Sequence, residues 1–185
     1  MKTGTLSRIA LVVLALTLAV STASAQLNSG AQTIALNANL TESLTLNLSA
    51  SAVNFTLTSG AAANPGSTNI TATTAWVLKP GRTAVGVYAY FASSAAALTD
   101  GAGNNIPSAD FTISDNGGAA TALTNTVAFG GANAGYQMAN VAITGANKNG
   151  SRNDVMAFNI NLTTLPQLPA NTYTGTLNIQ AQATP

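Results

Sequence analysis

The sequence contains no cysteine and no histidine, and only 6% of its residues are charged. The lack of histidine and cysteine excludes Ser-His-Asp and Cys-His nucleophilic systems and zinc sites of ordinary composition. Without disulfides, the fold must be stabilised by packing and backbone hydrogen bonds. The few charges leave no basic field for nucleic acid, so this class of partner is excluded.

The N-terminus has the pattern of a secretory signal peptide. Two basic residues precede or flank the start of the apolar run Ile9–Val20, and the small residues Ala-Ser-Ala follow at 23–25. This order predicts a signal peptide at 1–25, cleaved after Ala25. The run is too short to cross a bilayer of roughly 30 Å as an anchor, and no later stretch is long and apolar enough. The sequence therefore predicts secretion to the cell surface or outside, with the periplasm as the alternative, and no membrane span.

The chain that follows the predicted signal peptide is almost neutral. Four basic and five acidic side chains give a net charge near −1 (4 − 5). Its polarity comes mainly from Thr, Asn and Ser, which wet a surface without charging it. Such a surface has little charge repulsion between copies, which favours association over a monomeric state. The charged residues are Lys79, Arg82, Lys148, Arg152, Glu42, Asp100, Asp110, Asp115 and Asp154.

Apolar residues alternate with small or polar ones along most of the chain, which is typical of half-buried strands. Turn signals such as Asn64-Pro65-Gly66 and Asn116-Gly117 separate these runs. Short strands between turns predict an all-β fold, an antiparallel sandwich or barrel, in one domain over 42–185. The alternating runs begin at Ile34, Leu44, Val53, Ile70, Val85, Phe111, Val127, Val141, Met156 and Tyr173.

The stretch "WVLKPGRTAVGVY" (76–88) holds the only tryptophan of the chain. Trp76 is in phase with Ile70, which predicts a buried packing role and not ligand stacking. Pro followed by Gly suits the second and third positions of a type II turn. The pattern predicts a hairpin whose tip carries Lys79 and Arg82 in solvent.

Few residues offer chemistry. Asp110 and Asp115 resemble a glycosidase carboxylate pair if a loop brings them together, although solvated loop positions explain them more simply. The segment 100–105 ("DGAGNN") approaches a calcium loop, but its single carboxylate favours a turn. Tyr88, Tyr90 and Tyr136 are candidates for stacking against a sugar, and cross-strand packing is the simpler explanation. We therefore predict no catalytic, metal-binding or cofactor-binding residue.

Two segments resemble a known family. "ESLTLNLSASAVNFTL" (42–57) resembles the start, and "LPANTYTGTLNIQAQA" (168–183) the closing strand, of pilin-like domains of the spore coat protein U and archaic chaperone–usher type. The resemblance implies an incomplete immunoglobulin-like β-sandwich that is completed by an N-terminal strand of the next subunit. It also implies a periplasmic chaperone as a further partner.

A segment suited to that role lies at 26–41. Thr33–Leu40 alternates, and added to an open sheet edge it would supply backbone hydrogen bonds and apolar side chains. The same strand would also suit the sandwich of its own domain. Alternation shows that a strand is buried and not in whose sheet, so both arrangements stay open. The candidate donor residues are Ile34, Leu36, Ala38 and Leu40.

These observations predict a secreted, non-enzymatic structural subunit of a bacterial cell-surface fibre or coat. Its partners would be other copies of itself or related surface subunits, joined by β-strand exchange or by contacts between sheet edges. The alternative is a monomeric extracellular polysaccharide-binding β-sandwich that uses the three tyrosines. An acid hydrolase based on Asp110 and Asp115 is a third hypothesis.

Overall fold

The computed structural model describes Leu27 and residues 29–185, so the predicted signal peptide lies outside the described residues. Residues 40–185 form one compact unit, and the described residues up to Asn39 belong to another. Within 29–42 no residue is in a strand. The alternating run Thr33–Leu40 therefore has no strand partner in the isolated chain, although its sequence predicts a strand.

The compact unit is all-β, as the alternation predicts, and every strand pairing in it is antiparallel. The only helical element among the described residues is a 3₁₀ turn at Ser108–Asp110. The strands are β1 (Ser43–Leu48), β2 (Asn64–Pro65), β3 (Ile70–Val77), β4 (Ala84–Tyr90), β5 (Leu98–Thr99), β6 (Asn105–Ile106), β7 (Phe111–Asp115), β8 (Thr121–Ala122), β9 (Gly135–Ala142), β10 (Asn149–Ile160) and β11 (Asn178–Thr184).

Two sheets form a sandwich around the core. The larger sheet has the order β1-β3-β10-β7-β8, with β2 also paired to β10, and the smaller sheet has the order β11-β4-β9. β5 and β6 form a separate ribbon. β1 and β11 are thus each the outermost strand of a sheet. Buried side chains alternate along β3 and along the second half of β10, because successive strand residues point to opposite faces.

The tryptophan stretch is a connection between sheets and not a hairpin, so that prediction is wrong. β3 pairs with β1 and β10, whereas β4 pairs with β11 and β9. Gly81 has a φ of +94°, the positive value that a turn glycine supplies, and the turn redirects the chain into the opposite sheet. Trp76 is buried as predicted, and its Nε1 donates a hydrogen bond to the Asn147 carbonyl at 2.9 Å.

Two further runs predicted as strands are irregular. The run that begins at Val53 makes only an isolated bridge, Phe55 to Gly66, and the run at Val127 is a loop. Val53 and Phe55 nevertheless pack against the core. Their alternation thus indicates that one face of the segment is buried. The segment nevertheless lacks the backbone pairing that defines a strand.

Candidate functional site: an apolar groove between two sheet edges

A large apolar groove opens into the core between the outermost strands of the two sheets. Its volume is about 1000 Å³. One wall comes from segment 48–59, which follows β1, and the other from segment 168–179, which leads into β11. The floor belongs to the core, and its main side chains are Ile70, Phe91, Phe111, Met156, Phe158 and Ile160.

Phe111 is the centre of the aromatic part of the floor. Its ring lies 5.2 Å from that of Phe91 in an edge-to-face arrangement, and 5.9 Å from the rings of Phe55 and Phe158. Such contacts add to the stabilisation by area alone and hold the rings in defined positions. The floor is therefore a packed surface and not a flexible void.

The wall at 168–179 is fixed in place by the β5–β6 ribbon. Thr174 exchanges two backbone hydrogen bonds with Thr99, each of 2.9 Å. Gly175 lies so close to this ribbon that an added Cβ would be 2.0 Å from the Ala97 carbonyl oxygen. Since backbone groups alternate in direction along an extended segment, the N–H and C=O of Tyr173 and Gly175 point away from Thr99. Within the described residues these groups have no strand partner.

Asp100 holds the same wall through Asn171, whose Nδ2 donates to its Oδ2 at 3.1 Å. The side chain of Asn104 and the backbone N–H groups of Ala102 and Asn104 donate to the same carboxylate. These hydrogen bonds, that of the Asn104 side chain first, lower the pKa of Asp100 to about 2. Segment 100–105 is thus a turn closed by its own donors. No group of three or more acidic residues that could hold a metal occurs in the described part of the chain.

Beyond the groove, at the Glu42 end of β1, an ion pair joins β1 to β11. Arg82 donates from Nε to Glu42 Oε1 at 2.8 Å and from a terminal nitrogen to Glu42 Oε2 at 3.2 Å. Its second terminal nitrogen donates to the Ala183 carbonyl oxygen at 3.2 Å. Glu42 precedes β1 and Ala183 belongs to β11, so one guanidinium joins the two outermost strands. We call these three residues the clasp.

The clasp corrects the prediction for the basic tip. The side chain of Lys79 is 64% exposed, as expected, but that of Arg82 is only 25% exposed because it is held between the strands. Hydrogen bonds from Arg82 lower the pKa of Glu42, and the same bonds raise that of Arg82. A small cavity of about 270 Å³ lies next to the clasp.

The three candidate tyrosines do not share one surface. Tyr88 and Tyr90 lie on the outer face of β4, and both rings contact Phe129, at 5.7 and 5.9 Å between centroids. Tyr136 is opposite Ala89 in the register and packs against the core on the inner face. The two outer rings pack on protein: Tyr88 lies over Gly86, and Tyr90 donates its hydroxyl to Gln180 Oε1 at 2.8 Å.

The two carboxylates of the hydrolase hypothesis are far apart. Asp115 ends β7, and Asp110 directly precedes that strand. Five extended residues span roughly 16 Å, whereas a glycosidase pair is separated by at most about 9.5 Å. Asp110 instead accepts a hydrogen bond of 2.7 Å from the hydroxyl of Thr164.

A partly buried charged cluster was missed by the sequence interpretation. Arg152 donates to the fully buried Asp154 at 2.7 Å and lies 3.6 Å from Asp115. Burial, and then the negative charge of Asp154, raise the pKa of Asp115. A signal was present, since Arg152 and Asp154 are four and two residues before Met156 and therefore share its inward face.

No helix in the described part of the chain is long and apolar enough to span a membrane. Comparisons with protein-family models, with curated proteins and with solved structures found no match to this chain.

Proposed function

We propose that this chain is a secreted structural subunit of a bacterial surface fibre or coat, and that its copies assemble by β-strand exchange. Residues 33–40 of one copy, which we call the arm, enter the apolar groove of another. In this proposal the groove is the place of a missing strand in an immunoglobulin-like sandwich. The observation that carries the proposal is the groove itself, an opening of about 1000 Å³ between two sheet edges in a chain that also has an unpaired alternating segment.

The arm has the side chains that such a groove requires. Ile34, Leu36 and Leu40 are 85%, 90% and 84% exposed, and Ala38 is exposed as well. All four lie at alternate positions, so an extended arm would turn them to one side. Full burial of a side chain as large as leucine or isoleucine contributes about 1.5–3 kcal/mol.

The groove has the backbone groups that strand addition requires. The N–H and C=O groups of Tyr173 and Gly175 point away from their neighbour Thr99, so an incoming strand can pair with them. The wall is already fixed by the β5–β6 ribbon and by Asp100. Because little of the acceptor needs to be ordered on binding, more of the contact energy remains as affinity.

The polysaccharide-binding alternative has less support. It requires an open aromatic surface, and the rings of Tyr88 and Tyr90 pack against Phe129 while Tyr136 points the other way. The proposal of a structural subunit therefore stands first, with export by the predicted signal peptide and with related subunits or a chaperone as further partners.

Neighbouring arm positions provide a matched pair of variants for the test. Leu36→Asp places a charge among the buried side chains of the proposed interface, whereas Asn37→Asp places the same charge on the opposite side of the strand. We expect sedimentation velocity to give assemblies for the parent chain and for Asn37→Asp, and monomers for Leu36→Asp. Equal assembly of both variants would mean that the arm does not enter an apolar groove.

A further inference from the structure

We propose that the clasp directs the arm away from the groove of its own chain, so that the groove is filled by the arm of a second copy. This inference rests on the proposed function and names the residues that select which copy's arm fills the groove. The clasp lies directly after the arm, since only Thr41 separates Leu40 from Glu42. Glu42 and Arg82 are then the residues that determine whether the groove is filled by the arm of its own chain (in cis) or by the arm of a second copy (in trans).

The register of a folded-back arm argues against filling in cis. To reach its own groove, the arm would have to turn at Thr41 and run antiparallel beside β1. With a two-residue turn, Leu40 would lie opposite Ser43 and Leu36 opposite Asn47. The groove wall begins only at Leu48. Three of the four apolar side chains would therefore lie beside β1, outside the groove.

The clasp also occupies the path that such an arm would take. A strand between β1 and β11 must separate their edges, and Arg82 joins those edges through three hydrogen bonds. Leu44 next to the clasp, and Ala183 of the clasp itself, pack against the buried cluster around Trp76. A folded-back arm would thus have to break the ion pair and this packing. A strand that enters the groove from another copy leaves both intact.

The arm of a second copy is free of both restrictions. Its register is not tied to Glu42 of the accepting copy, so all four apolar side chains can enter the groove together. The arm departs at the Glu42 end of β1, and the groove begins at the Leu48 end, about 20 Å further along the strand. Because donor and acceptor surfaces differ and lie at opposite ends of β1, repeated filling gives an open head-to-tail chain.

Disulfide trapping tests this inference, since the chain has no cysteine of its own. Leu36→Cys is combined with Leu177→Cys in the groove wall, and with Val53→Cys in the opposite wall as a second pair. We expect oxidation to give a ladder of linked oligomers for both pairs on non-reducing gels. Replacing Leu36→Cys by Asn37→Cys is the matched control, and it should reduce the linked fraction about tenfold or more.

A lengthened variant of each cysteine pair carries eight Gly and Ser residues inserted between Thr41 and Glu42, together with Arg82→Ala. The arm can then reach its own groove at an effective concentration in the millimolar range, well above that of other copies at micromolar protein. We expect the ladder to be replaced by a disulfide-closed monomer. A closed monomer from the chain of natural length would overturn the inference while leaving the groove as the site of the arm. Absence of any link in both chains, for both pairs, would instead overturn the proposed function.

Discussion

Gly175→Ala tests how tightly the groove wall is held. The added Cβ would be 2.0 Å from the Ala97 carbonyl oxygen and 3.0 Å from its carbonyl carbon, both backbone atoms. Because backbone cannot rotate away as a side chain can, the wall or the β5–β6 ribbon must shift. Overpacking of this kind costs about 1–3 kcal/mol of the free energy of unfolding.

The matched control is Gly145→Ala, where an added Cβ meets no atom within 4 Å. Both changes remove the same backbone freedom from the unfolded chain, which alone stabilises by about 0.4–1 kcal/mol. The difference between the two variants therefore isolates the contact with Ala97. For a chain of this size 1 kcal/mol shifts Tm by about 2–4 °C, so Gly175→Ala should melt about 2–12 °C below Gly145→Ala.

Differential scanning calorimetry measures both variants, and circular dichroism verifies that each keeps its β structure. We also expect Gly175→Ala to weaken assembly, because the shifted wall no longer presents its backbone to the arm in the same position. Equal Tm values for the two variants would refute the close approach of the wall to Ala97 and, with it, the claim that the acceptor edge is fixed in advance.

Three other changes test the remainder of the structure. Trp76→Phe removes the hydrogen bond to Asn147 and part of a buried ring, so urea denaturation should show a loss of about 1–3 kcal/mol, and an unchanged midpoint would contradict the burial. The lowered pKa of Asp100 means that its contribution to stability is complete above about pH 4 and is lost as pH falls towards about 2. Asp100→Asn should flatten the dependence of Tm on pH in that window, and an unaltered slope would assign the acid loss to other groups. The raised pKa of Asp115 means that its ionised form destabilises the fold above that pKa, so Asp115→Asn should raise Tm at pH 7, with the gain vanishing at lower pH.

The sequence predicted the all-β class and many of the buried faces. β1, β10 and β11 follow alternating runs, and Trp76 points inward because it is in phase with Ile70. This success has a simple cause. Successive side chains of a strand point to opposite faces of the sheet, so the apolar residues at every second position indicate which face is buried.

The alternation of apolar residues does not show which strands are neighbours in a sheet. The turn at Gly81 suits a hairpin as well as a corner between sheets, and alternation in β3 and β4 is the same in either case. The clasp depends on that corner, since it brings Arg82 to Glu42, 40 positions away. A long-range contact of this kind follows from topology and not from local pattern.

The groove could not be predicted from the sequence for a related reason. Val53 and Phe55 alternate as strand residues do, and the sequence predicts a paired strand there. In the structure their side chains reach the core while this part of the chain makes only one isolated bridge. Apolar alternation does not show whether an inward-facing segment pairs with a neighbouring strand or lines an open groove, because its side chains are apolar in both cases.

The most direct test of strand exchange is the molar mass of two chains, residues 26–185 and residues 42–185, by light scattering during size exclusion. Strand exchange predicts a series of large species for the first chain. For the second it predicts a monomer that binds a synthetic peptide of residues 29–41. A sharp monomer from residues 26–185, or large species that persist without the arm, would contradict strand exchange between copies.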